Sequence, residues 1–180
     1  GHDHVLSFDM GGTTAKAGVV HDGEPRLTRD LHVGGKGTYG GRRAGTGTPV
    51  RIPVIDLAEV GVGGGSIAWI GPDGALRVGP RSAGSEPGPA CYGRGGTEPT
   101  VTDANLVLGY LDPDNFAGGA FRLDAEAAHR ALHDHIAAPL GVDLATAAWA
   151  VHDLVNANMA AAIHVVTVQR GLDPRDHVPI

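Results

Sequence analysis

The sequence has 180 residues, 42% of them apolar, and a net charge of -6 from 14 basic and 20 acidic side chains. That length supports one sizeable core or two small ones. No basic block occurs, which argues against a nucleic-acid surface, and no run of about 18 apolar residues occurs that would span a membrane.

Gly1-His2 reads as the remnant of an expression tag, and His2 and His4 are set aside with it. The start lacks the apolar core of a signal peptide. Val5 to Phe8 is an apolar run that meets Asp9, then Gly11-Gly12 and Thr13-Thr14, before a second apolar run from Ala15 to Val20. The pattern predicts strand, tight turn, strand. Two glycines let the backbone turn sharply and approach a ligand closely. The turn amides can point together at an anion, with two hydroxyls and Lys16 as further donors. Asp9 supplies a carboxylate suited to hydrated Mg²⁺. The competing reading is an ordinary diglycine hairpin.

Asp22-Gly23 marks a turn, and Arg26 to Val33 reads as a third strand. Residues 34–49 hold seven glycines and no periodicity, which predicts a loop, read as a lid. A formal G-x-G-x-x-G spans Gly35 to Gly40, but Gly45, Gly47 and Pro49 leave no room for the helix that should hold a pyrophosphate. Val50 to Leu57 reads as a strand, and Gly63-Gly64-Gly65-Ser66 as a second glycine turn. Ile67–Ile70 and Ala75–Val78 read as a hairpin around Pro72-Asp73-Gly74. Residues 79–96 form a long loop whose path three prolines constrain.

Helical patterns fill the rest. The segment from Thr100 starts a helix, with Thr102 expected as its N-cap. Asp124 caps the next, where Ala128, Leu132 and Ile136 recur every four residues until Pro139 and Gly141. From Asp143 to about Arg170, apolar positions recur at three or four, and Gly171 and Pro174 end the run. The order is strands first, then helices, an α/β or α+β mixture. The single cysteine, Cys91, closes no internal disulfide, which suits a reducing cytoplasm.

The chain resembles the hydantoinase A/5-oxoprolinase family, which includes nucleotide-binding subunits of acetone and acetophenone carboxylases. The residues that carry the resemblance are Phe8 to Ala17, Gly63 to Trp69, Leu76 to Gly84, Pro87 to Gly96, Pro99 to Asn105 and Gln169 to Arg175. The resemblance implies an actin-like ATPase fold with two ribonuclease-H-like halves closing over ATP and Mg²⁺. Asp9 to Thr14 looks like the phosphate turn of the second half. Residues 1–180 are then expected to be a partial second half, with the glycine-rich loop at 34–49 and a family-specific loop at 79–96. The expected partners are the remaining half, a hydantoinase B-type subunit and a small-molecule substrate.

The implied activity is ATP-dependent opening of a cyclic amide, with the carbonyl activated by phosphorylation. Ketone carboxylation and a non-catalytic assembly module stand as alternatives, and the 180 residues alone are expected to be nearly inactive. Asp9 would act in catalysis and hold Mg²⁺. Gly11, Gly12, Thr13, Thr14 and Lys16 would bind phosphate, although Lys16 also reads as a solvent-facing strand lysine. Gly63, Gly64, Gly65 and Ser66 are either a second anion nest or a turn packed on the first. Asp103 is either catalytic or an acid at a helix start. Cys91 is either a reactive thiol or a packed small residue. Arg81 and Arg94 either hold a substrate anion or are solvated. His129, His133 and His135 offer metal-ligand spacing, against a solvated helix face.

Overall fold

The computed structural model describes residues 2–29, 31–33 and 48–180. The chain divides into two compact units. One comprises residues 1–10, 14–61 and 158–180; the other comprises 11–13 and 62–157.

In the first unit, β1 (Val5–Met10) and β2 (Ala15–His21) pair antiparallel, from Val5 opposite Val20 to Met10 opposite Ala15. Ala15, Ala17 and Val19 alternate inward and are buried, as period-two patterning requires. The expected third strand from Arg26 to Val33 is broken. It yields β4 (Leu27–Thr28) and β5 (Leu31–Val33), and a short β3 (Glu24–Pro25) precedes it. Each takes a different partner: β3 joins β2, β4 joins β7 (Val54–Ile55), and β5 joins β6 (Thr48–Val50). The expected strand from Val50 to Leu57 is interrupted too, and β8 (Leu57–Val60) returns to β2. Of the expected loop and lid at 34–49, Thr48 and Pro49 lie in β6, and residues 34–47 lie outside the described residues. The formal G-x-G-x-x-G lies outside the described residues.

The second unit opens with the expected hairpin, β9 (Ser66–Ile70) and β10 (Leu76–Ser82). Trp69 donates its indole N–H to the Gly79 carbonyl at 2.8 Å. Helix α1 (Val101–Val107) starts one turn corner earlier than expected: Thr100, not Thr102, is the N-cap. Its hydroxyl accepts from the Asp103 amide while the Asp103 carboxylate accepts from the Thr100 amide, a reciprocal capping box. Asp124 caps α2 (Ala125–Leu132) as its position suggests. The helix continues through a π turn at His133–Ala137 into α3 (Ala138–Leu140), where Gly141 closes it with φ 66°. Ala128, Leu132 and Ile136 are buried. Cys91, Leu106, Leu123 and Ala128 form a core cluster that Tyr92, Phe116 and Phe121 flank.

Helix α4 (Leu144–Val166) begins at Asp143, whose carboxylate accepts from the Thr146 amide at 2.8 Å. Its first part belongs to the second unit and its last part, from Asn158, to the first. The chain then forms β11 (Val178–Pro179), parallel to β1. The first unit's sheet thus runs β11-β1-β2-β3, with β8 also on β2. Among the described residues no helix is long and apolar enough to cross a membrane.

Candidate functional site

The turn between β1 and β2 is built by the second glycine loop. The Gly64 amide donates to the Gly11 carbonyl at 3.0 Å, and the Gly65 amide to the Gly12 carbonyl at 2.7 Å. Ser66 donates its amide to the Gly63 carbonyl, and the Gly63 amide donates to Ser66 Oγ at 2.9 Å. The amides of Gly63, Gly64, Gly65 and Ser66 are all engaged by protein acceptors, so this loop is a buttress and not an open anion nest. A Cβ on Gly63 would stand 2.5 Å from the Gly11 carbonyl oxygen and 2.6 Å from the Thr13 amide nitrogen. Glycine is required here because two backbones touch, not for a left-handed φ: none of Gly11, Gly12, Gly63, Gly64 and Gly65 has positive φ.

The loop holds the turn by its carbonyl side. Gly11, Gly12 and Thr13 are exposed, and among the described residues their amides find no protein acceptor. A Cβ on Gly12 would meet nothing within 4 Å. On the strands, Asp9 is exposed and lies opposite Lys16, which in turn lies opposite Glu59 of β8. Lys16 therefore stands in a row between two carboxylate-bearing residues, the cross-strand pairing that favours opposite charges.

Asp103 is fully buried, and four donors occupy its carboxylate. They are the amides of Ala90, Cys91 and Thr100 and the Thr100 hydroxyl, at 2.7–3.2 Å. The residue ties the 79–96 loop to the start of α1, which favours the helix-start reading over catalysis. Cys91 is fully buried beneath that loop. Burial pushes its thiol well up, and the Asp103 charge adds to the shift. That is the opposite of what activates a thiol. Arg81 makes a two-point pair with Glu98, at 2.7 and 3.2 Å. Both line a cleft of about 490 Å³ with Ser82, Glu86 and Thr97. Arg94 instead lies over the Phe121 ring, 4.9 Å from its centroid. The structure thus gives the three substrate candidates different surroundings, and Arg81 lines a cleft. His133 and His135 are exposed and His129 partly so, on the outer side of α2 and the π turn.

The model of the hydantoinase/oxoprolinase family matches residues 1–180. The chain belongs to that family. A hydantoinase/oxoprolinase relative, the caprolactamase alpha subunit of Pseudomonas jessenii, is 44% identical over 98% of this chain and 24% of its own. The acetophenone carboxylase gamma subunit of Aromatoleum aromaticum is 41% identical over 99% of this chain and 23% of its own. The crystal structure of an ATP-dependent caprolactamase from Pseudomonas jessenii superposes with a TM-score of 0.84 at 42% identity, over 99% of this chain and 24% of that one. The chain spans about a quarter of the length of the relatives it matches.

Sequence reasoning missed one polar centre in this hydantoinase/oxoprolinase segment. Asp56, buried, accepts from Arg170 Nη2 at 3.0 Å and stands 3.8 Å from Arg26 Nε. No local pattern signals a contact between residues 114 positions apart. The Thr100–Asp103 box was missed as well, Thr102 being the expected cap, although Thr-Val-Thr-Asp carries the S/T-x-x-acid spacing that signals it.

Proposed function

We propose that Asp9 to Thr14 is a phosphate-binding turn of an ATP-dependent enzyme that opens cyclic amides, activating the ring carbonyl by phosphorylating its oxygen. The observation that carries this reading is the turn itself: the Gly11 and Gly12 carbonyls accept from Gly64 and Gly65, while the amides of the exposed Gly11, Gly12 and Thr13 have no protein acceptor among the described residues. A phosphate needs converging donors and close backbone approach. Gly11, Gly12 and Thr13 offer amides, Thr13 and Thr14 offer hydroxyls, and the open space at Gly12 leaves room. Asp9 is an exposed hard-oxygen donor, the kind of group that would hold the water shell of Mg²⁺. When bound, Mg²⁺ neutralises phosphate charge. Lys16, between Asp9 and Glu59, adds a positive charge to the same row.

Phosphoryl transfer asks for positioning and charge neutralisation more than for a protein nucleophile. Buried Cys91 and Asp103 therefore carry no step in this proposal. Arg81 is the substrate-anion candidate, and an incoming anion would have to displace Glu98. An antiparallel hairpin with an acid at its turn, flanked by a parallel strand, supports placing residues 1–180 in the second half of an actin-like ATPase. The relatives' designations as subunits support the remaining half and a hydantoinase B-type subunit as partners.

Ketone carboxylation is the second reading, favoured by the 41% identity to an acetophenone carboxylase subunit. The intact protein should be titrated with Mg-ATP and assayed for phosphate release with a lactam, and separately with an aryl ketone plus bicarbonate. Lactam-dependent release that Asp9→Ala lowers by about a hundredfold is expected. Release with the ketone alone selects the second reading. No Mg-ATP binding, with turnover unchanged in Asp9→Ala, overturns the assignment and leaves an assembly module.

A further inference from the structure

Three histidines that no motif joins meet at one end of the first unit's sheet. Val5 pairs with Val20 on β2 and with Val178 on β11. One residue beyond that row on each strand stand His4, His21 and His177. Adjacent strands are about 4.8 Å apart, so side chains on β11 and β2, two strands apart, would stand roughly 9.6 Å apart if they rose in parallel. The ring centroids of His21 and His177 are 5.7 Å apart, and those of His4 lie 4.5 Å from His21 and 5.7 Å from His177. The rings lean inward toward one point. One ligand atom from each lies within 4.8 Å of the others.

A second observation points to a ligand. His177 is 6% exposed, and its Nδ1 lies 2.9 Å from the Asp173 carbonyl oxygen. A carbonyl only accepts, so Nδ1 carries the proton and Nε2 keeps its lone pair. That Nε2 is buried and has no hydrogen-bond partner among the described residues. A backbone carbonyl holding one ring nitrogen while the other is left bare is the arrangement that orients a metal-ligating histidine. His4 and His21 are each partly exposed, so their rings can turn. The exposed Asp22 carboxylate lies 3.7 Å from His4 Nε2 and 3.9 Å from His21 Nε2, which supplies negative charge beside them. The Asp22 amide to His4 Nδ1, at 3.5 Å, is at the outer limit of a hydrogen bond and is easily given up.

We propose that His4, His21 and His177 form a binding site for a zinc-class divalent transition metal that clips β11 and β2 across β1. Three imidazoles suit zinc, cobalt or nickel and not magnesium or calcium, which take oxygen ligands. Metal–nitrogen distances of about 2.0–2.1 Å in a tetrahedron place ligand atoms about 3.3 Å apart, so the rings must close by roughly 1.5 Å. Rotation of the two exposed rings supplies that movement. His4 is then part of the fold's chemistry and not a tag remnant.

The test uses the full chain without an affinity tag, stripped with a chelator. Cobalt should give visible d–d bands of tetrahedral intensity at one equivalent, in the presence of excess Mg²⁺, and zinc should displace it. Zinc should also raise the melting temperature, reversed by chelator. His21→Ala, at a half-exposed position, should weaken cobalt binding at least tenfold, while His133→Ala leaves it unchanged. His177→Gln is the second variant; its folding is checked by circular dichroism before binding is read. Absence of the bands in the wild-type chain, or undiminished binding by His21→Ala, overturns the proposal.

Discussion

At the scale of single residues, Asp103 shows how a carboxylate in an acid–threonine stretch can be structural. Its two oxygens accept from four donors that lie on two separate segments. Asp103→Ala would leave buried amides at Ala90, Cys91 and Thr100 without an acceptor, each costing about 1–3 kcal/mol, and would remove half of a capping box. We expect a loss of about 3–5 kcal/mol in urea unfolding. Cys91 gives a second test with a defined sign. Its thiol titrates higher folded than unfolded because burial disfavours the thiolate. The stability this contributes is complete below the unfolded thiol value, about 8.5, and is lost as pH rises from there toward the folded value. Unfolding measured from pH 8 to 11 should show an alkaline loss that Cys91→Ala reduces. Ellman's reagent should label native Cys91 only after denaturation. Rapid labelling of the native chain would contradict the buried assignment.

At the scale of elements, the two glycine turns behave as one device with two different glycine requirements. Gly63 faces backbone atoms at 2.5–2.7 Å from any added Cβ, so Gly63→Ala must push the first turn away. We expect a loss of about 1–3 kcal/mol together with weakened Mg-ATP binding. Gly12 faces open space, so Gly12→Ala should change stability by less than about 0.5 kcal/mol. If a phosphate approaches that face, the same methyl obstructs it, and isothermal titration should show nucleotide affinity down by tenfold or more. A Gly12→Ala protein with unchanged stability and unchanged nucleotide affinity would argue against the phosphate-turn proposal. The interrupted strands between Glu24 and Val60 belong to this scale too. The apolar residues at 27, 31 and 33 read as one strand, yet two different partners divide the segment. Propensity describes a strand's own residues; pairing depends on what comes alongside.

At the scale of the whole molecule, the first unit is closed by contacts between residues far apart in the chain. Asp56 joins Arg26, near the beginning, to Arg170, after α4, and is itself buried. Removing its charge leaves the partly buried Arg170 guanidinium without its carboxylate, so Asp56→Asn should cost about 1–3 kcal/mol in denaturant unfolding. An unchanged midpoint would show that solvent replaces the pair. Because the chain spans about a quarter of its relatives' length, turnover is a property to be measured on the intact protein.

The sequence by itself determined what depends on neighbours a few residues away. The β1–β2 hairpin, the β9–β10 hairpin, the Asp124 cap and the buried Ala128, Leu132 and Ile136 all follow from local pattern, because turn chemistry and helical periodicity act over short spans. The family was legible as well, carried by blocks such as Gly79 to Asn105. The tertiary structure alone decided which of the glycine turns has amides without a protein acceptor among the described residues, since Gly63–Ser66 and Gly11–Thr13 look alike until one is seen holding the other. It alone turned Asp103 and Cys91 from candidate reactive groups into a buried anchor and its cover. It alone brought together His4, His21 and His177, because sheet register, not spacing along the chain, sets which side chains stand in one row.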